Sequence, residues 1–224
     1  WTSITTMVRK TTQQKKSMST STSNTTTADS SSTSTITKPY GYKTLKSNPA
    51  EHYDHFDSPI GPMEFFANDK GLVLITFFPL HKPNVDSMKP NLITNQFKQQ
   101  LTDYFSGDLL DFTVPVDWDA GTEFQQKAWK ALCDVKFGET ASYSDVAKAI
   151  GKANAPRAVA TACRLNKFPL IVPCHRIVSS KGEVVGYMGK GGIPKQHFLY
   201  DHEQAVLKEA KSNNIKCSRI SRRC

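Results

Sequence analysis

Between residues 121 and 166 the chain is punctuated so closely that only short helices fit. Thr122 and Gln125 have the spacing of a capping box. Phe124, Ala128, Trp129, Leu132 and Val135 then fall on one helical face, with Gly138 as the stop. Ser142 and Asp145 repeat the capped start ahead of Val146, Ala147 and Ile150, and Gly151 ends that stretch. Pro156 suits the first turn of a third helix through about Asn166. Two short helices joined by a brief turn with Gly151 have the form of a helix-turn-helix. Taken alone, the pattern also fits any two helices packed in an α domain.

The third helix is built of small residues, Ala158-Val159-Ala160-Thr161-Ala162-Cys163, between Arg157 and Arg164. Small side chains let a backbone approach another surface closely. That surface can be a neighbouring helix, since Ala is ordinary in helices. The two flanking arginines favour a polyanion instead.

Upstream the periodicity changes. Phe65-Phe66-Ala67 and Leu72 to Phe78 read as strands joined by the turn Asn68-Asp69-Lys70-Gly71, with Ser58 to Pro62 as the preceding turn. Residues 81–91 read as a loop. Ile93, Phe97, Leu101, Tyr104 and Phe105 have helical spacing up to Gly107, and Phe112 to Val116 reads as a short strand closed by Pro115. The expected architecture is α+β: a small N-terminal α+β domain over 39–117, then a mostly helical helix-turn-helix domain over 118–207.

Two tails flank this body. Residues 1–38 hold 22 Ser or Thr and almost nothing large and apolar, so burial cannot offset their ordering entropy and a disordered tail is expected. Such an acid-poor, Ser/Thr-rich start also fits an organelle-targeting segment, although it carries one Arg only. Residues 208–224 read as a basic tail. The net charge of +9 is unevenly placed: residues 138–200 carry nine Lys or Arg against three acids, while 39–137 are net acidic. A basic stretch within the folded body suits nucleic acid, and equally a solvated charged face.

Five cysteines, at 133, 163, 174, 217 and 224, form neither a disulfide framework nor a C-x-x-C metal pattern. A reducing compartment is the simplest expectation. No apolar run is long enough to span a membrane, so no membrane partner is expected. No metal and no cofactor are expected either.

One segment carries chemistry. Pro169-Leu170-Ile171-Val172 reads as a strand-like run that delivers Pro173-Cys174-His175-Arg176. A thiol becomes a nucleophile when a base or cation helps it lose its proton. A base can act through one water, so a sequence-adjacent His is a candidate. The same pattern fits a buried structural cysteine beside a satisfied histidine.

Pro173-Cys174-His175-Arg176-Ile177-Val178 resembles the active-site motif of the O6-alkylguanine-DNA alkyltransferases. The resemblance includes Phe124-Gln125-Gln126, Trp129, Phe137-Gly138-Glu139, Ser142-Tyr143, Arg157-Ala158-Val159, Asn166, Gly186-Tyr187 and His202-Glu203. It implies transfer of a methyl or other alkyl group from O6 of guanine in double-stranded DNA to Cys174, with O4 of thymine as a second target. It implies a single turnover and a monomer. Cys174 is then the acceptor, His175 draws its proton through a water, and Glu203 orients His175. Tyr143 hydrogen-bonds the guanine and helps protonate the leaving base. Asn166 fixes the loop that bears the nucleophile. Arg157 fills the gap left by a flipped nucleotide, with Ser142, Ala158, Ala160 and Arg164 on the same DNA-binding surface. Pro169, Val178, Tyr187 and Met188 wall the substrate pocket. A DNA substrate implies the nucleus if the source is eukaryotic.

The chain departs from that pattern after Tyr187, where Met188 to Pro194 is about two residues longer than usual in the family. Three rivals stand beside this reading. A lesion-binding relative without repair activity would lack the acceptor cysteine. A sequence-reading regulator would need long polar side chains on its recognition helix. A Cys–His hydrolase would need an oxyanion hole and a distant orienting group.

Overall fold

A computed structural model describes residues 49–77, 87–187 and 192–212. The 1–38 tail, most of the 81–91 loop, Met188 and residues 213–224 lie outside the described residues.

The N-terminal half is a three-stranded antiparallel meander, β1 (His52–Ser58), β2 (Gly61–Asn68) and β3 (Gly71–Thr76), covered by helix α1 (Leu92–Ser106). The β2–β3 hairpin lies where the sequence places it, with Asn68 opposite Gly71. Asn68 Oδ1 accepts from the amides of Lys70 and Gly71, which fixes the turn. β3 is buried along its whole length. Asn91 caps α1 through a reciprocal pair with Thr94, and Gly107 ends it at φ 85°, a conformation open to glycine.

Two expectations change here. β1 is a strand that the sequence pattern does not announce. Its one buried charged residue, Asp54, is held by Lys98 at 2.9 Å, so the strand has no clean apolar alternation. Conversely, the strand expected at Phe112 to Val116 reduces to one parallel bridge between Val116 and Leu72. Pro115 has no N–H to donate, so it contributes only its carbonyl, to Leu72 N at 2.9 Å.

The C-terminal half holds α2 (Glu123–Cys133), α3 (Tyr143–Ala149), α4 (Pro156–Arg164) and α5 (Gly192–Ser212), with a two-residue parallel pair, β4 (Ala141–Ser142) and β5 (Ile177–Val178). Both capping boxes form with reciprocal bonds, at Thr122 and at Ser142. α2 ends at Cys133, earlier than its expected stop, and Gly138 (φ 73°) turns the chain after it. α5 runs through Ser212, so its last turn occupies residues that read as the start of the basic tail.

One core joins the halves. Phe97, Leu101 and Tyr104 from α1 pack in the same buried cluster as Trp129, Leu132, Phe137 and Leu199. Trp129 Nε1 donates to Ala162 O at 2.9 Å, which fixes α2 against α4. The amide of Ile75 in β3 donates to Lys167 O at 2.8 Å, so the N-terminal sheet holds the loop that follows α4.

Candidate active site

The run before the nucleophile is a turn, not the expected strand. Pro169 bridges Val172, and Leu170 sits at φ 77°, the one described non-glycine residue with positive φ. The turn feeds a short 3-10 helix, Cys174–Arg176. In such a helix successive side chains lie about 120° apart, where an extended chain would alternate them between two faces.

Cys174 is buried, and Asn166 holds it. Asn166 Nδ2 donates to Val172 O at 2.8 Å and lies 3.1 Å from Cys174 Sγ, while its Oδ1 accepts from Phe168 N. Burial pushes the thiol up to about 11; the bond from Asn166 and a backbone bond work the other way.

His175 faces Glu203, with Nε2 2.7 Å from Oε1, and both side chains are fully buried. Burial lowers the His175 pKa, against the opposing pull of Glu203, so the imidazole is neutral at neutral pH. Glu203 is brought down to about 2: burial alone would raise it, and His175 and Arg176 outweigh burial. The permanent guanidinium charge makes an ionised carboxylate the sound assignment even when His175 is neutral. Nε2 then carries the proton toward Glu203, and Nδ1 keeps its lone pair. Nδ1 is buried and has no hydrogen-bond partner among the described residues.

Glu203 has further partners that sequence reasoning missed. Arg176 Nε and Nη2 reach it at 3.0 to 3.2 Å, and Arg176 Nη1 donates to Val135 O. The Gly138 amide donates to Oε2 at 2.7 Å. A side chain at Gly138 would need the positive φ and would collide with Leu207. The Tyr104 hydroxyl donates to Oε1 at 3.1 Å from α1. Gln196 Nε2 ties down the carbonyls of His175 and Ile177, both at 3.0 Å. No local motif signals these contacts; they arise where α1 and α5 meet.

In front of Cys174 lies a cavity of about 250 Å³ lined by Tyr143, Ala160, Cys163, Arg164, Val185, Gly186 and Tyr187 besides the thiol itself. Cys163, Val185 and Gly186 had no expected place in it. Pro169 and Val178, expected in its wall, are not among its described lining residues. Pro169 is buried in its turn, and Val178 is engaged in β5 beside Ser142. Tyr143 is pushed up to about 12 by burial, then by Cys163 and Cys174, so its phenol stays protonated.

Arg157, Ala158 and Arg164 are exposed on α4 and Ala160 is half-buried. Ser142 has its hydroxyl committed to Asp145, 2.6 Å away, as the cap of α3. A larger cleft, about 570 Å³, lies elsewhere among Trp118, Lys127, Lys130, Cys133 and Ile150. It contains none of these groups. No metal was expected; among the described residues, ligand atoms of Glu51, His52 and Asp69 lie within 4.8 Å of one another.

Residues 123–205 match the model of the DNA-binding domain of 6-O-methylguanine DNA methyltransferase, and residues 52–118 match its ribonuclease-like domain. The chain belongs to this family. It is 37% identical over 160 residues to a methylated-DNA–protein-cysteine methyltransferase of Methanosarcina barkeri, covering 70% of this chain and 99% of that one. It resembles the crystal structure of the Mycobacterium tuberculosis O6-methylguanine methyltransferase at TM-score 0.61 and 36% identity, over 69% of this chain and 93% of that one. A structure of the M. tuberculosis protein in complex with DNA superposes at TM-score 0.59 and 36% identity, over 69% and 94%. The α+β fold and its two-part order are those of the family.

Proposed function

We propose that this chain repairs DNA by moving an alkyl group from O6 of guanine to Cys174. One observation carries the reading: a buried thiol at the wall of the 250 Å³ cavity, next in sequence to an imidazole paired with an ionised carboxylate. The family relatives, which are named for this reaction, support it.

The steps balance without a cofactor. Cys174 Sγ forms a bond to the alkyl carbon as the carbon–O6 bond breaks, and the electron pair leaves with the guanine. His175 Nδ1 takes the thiol proton, directly or through one solvent molecule. Glu203 stabilises the imidazolium that forms. The protonated Tyr143 phenol donates to the departing base and helps protonate it, and the proton taken up by His175 restores the balance through solvent, so neutral guanine remains. The thioether product is inert to water and nothing in the site reverses it, so each molecule acts once.

The same reading extends to the substrate. A base within duplex DNA cannot reach a buried thiol, so the nucleotide must turn out of the stack into the cavity. Arg157 is exposed on α4; in this reading it enters the gap, and Ala158 and Ala160 let the helix approach closely. The lesion is O6-alkylguanine in double-stranded DNA, with O4-alkylthymine as a second target, and the acting species is the monomer. A eukaryotic source would place it in the nucleus.

The test is direct. Incubated with duplex DNA containing O6-methylguanine, the protein should gain the mass of one CH₂ unit, on the peptide that carries Cys174. An unchanged mass after exhaustive incubation sinks the proposal.

A further inference from the structure

Tyr104 lies outside the domain that holds the thiol. It belongs to α1, yet its hydroxyl donates to Glu203 Oε1 across 99 residues of sequence. That oxygen is the one facing His175 Nε2, and it also accepts from Arg176 Nη2. Four donor atoms from three residues share one oxygen. We propose that Tyr104 is a positioning residue for alkyl transfer: by taking part of the Oε1 charge, it fixes the Glu203 carboxylate and keeps His175 free of a second proton. The proposal rests on Cys174 as acceptor and His175 as its base.

The geometry distinguishes this role from simple packing. The Tyr104 ring is already held by Phe105, Phe112, Phe137 and His202, with centroids 5.2 to 6.0 Å away. Those contacts do not need the hydroxyl. The residue is 1% exposed, and burial followed by the Glu203 charge raises its pKa well above 10. The phenol is therefore a donor at every working pH. The titratable and charged groups around the pair are Tyr104 from α1, Cys174 and Arg176 from the 3-10 helix, Tyr187 edge-on to His175 at 6.4 Å, and His202 of α5 against the Tyr104 ring.

The sign of the effect follows. Without the hydroxyl, more negative charge stays on Oε1, and His175 holds a second proton more tightly. The base form then disappears at a higher pH. Tyr104→Phe should slow single-turnover transfer about tenfold near neutral pH. The acid limb of its pH–rate profile should move to higher pH, while affinity for duplex DNA is unaffected. Tyr104→3-fluorotyrosine keeps the ring and the hydroxyl and makes a stronger donor, so its acid limb should move the opposite way. Titration of the His175 imidazole by NMR should show the same two opposed shifts, with no need of activity. Opposed shifts support the proposal. Unchanged His175 titration in both variants overturns it, whether or not Tyr104→Phe loses stability. Failure of the wild-type protein to alkylate Cys174 would instead sink the function, and the NMR titration would still decide the role of Tyr104.

Discussion

The two sides of Cys174 are built on opposite principles. Behind it, Glu203 is fully buried and accepts from Tyr104, Gly138 and Arg176 besides facing His175. In front, Arg157 and Arg164 are exposed and, among the described residues, neither side chain has a hydrogen bond or ion pair. The rear is finished when the protein folds; the front is finished only by DNA. Preorganised dipoles lower a barrier because they need not reorganise during reaction. A surface that must grip many sequences gains from staying uncommitted, since phosphate contacts position and carry no sequence information.

The largest effect should come where the two sides meet. Cys174→Ser removes the acceptor and nothing on the α4 surface. Transfer should vanish by mass spectrometry while duplex affinity stays within about twofold of wild type, the scale of a change that touches no phosphate contact. A retained methyl gain would break the comparison and direct attention to Cys163, whose thiol also lines the cavity but is driven up by burial and by the neighbouring Cys174.

The second test isolates the front. Extruding a base costs a few kcal/mol, and a side chain in the vacated space returns part of it. Arg157→Ala should slow single-turnover repair of duplex DNA by about tenfold or more at saturating protein. Its rate on a free O6-substituted guanine base should match wild type, because there is no stack to fill. Equal losses on both substrates would place Arg157 in the fold or the pocket instead.

These tests also show what could be read without a structure. The caps of α2 and α3 and the start of α4 were legible, because Thr122, Ser142 and Pro156 obey rules local to four residues. β1 was not, because Asp54 occupies a buried position that a periodic reading reserves for apolar residues. Cys174 and His175 stood out locally as thiol and base candidates, while Glu203 entered through family resemblance alone. Tyr104 and Gly138 were not, since their meaning depends on α1 and α5 meeting at one carboxylate. The turn at Leu170 was misread because three apolar residues between prolines look like a strand.

The third test isolates the rear, with no DNA present. His175 has its folded pKa lowered, so its contribution to stability is present above about pH 6.5 and lost as pH falls below that, when the unfolded state takes up a proton first. Glu203 is lowered to about 2, so its contribution is complete above the ordinary glutamate value of about 4.3 and is lost as pH falls from there toward 2. Thermal midpoints should therefore decline gently below pH 6.5 and more steeply below about 4.3. A profile that stays flat from about pH 4.3 down to about 2 would mean that the carboxylate network contributes little.

The smallest effect should come from the tails. A chain of residues 39–212 keeps the whole of α5 and loses basic residues at both ends. Transfer at saturating protein should be unchanged. Duplex affinity should weaken at low salt and converge with wild type as salt rises, because counterion release is the only contribution removed. A shortened chain that folds but cannot transfer would tie the tails to the chemistry.

The buried thiol has a consequence for the time before any lesion is met. Burial holds the Cys174 thiol up at about 11, so at neutral pH it is almost wholly protonated. Stray electrophiles and peroxides, which react with thiolates, therefore find almost nothing to attack. Under the proposed single-use reaction, the thiol must last until its substrate arrives. Burial gives it its shelf life, and only a substrate that enters the cavity, with His175 ready to take the proton, ends it.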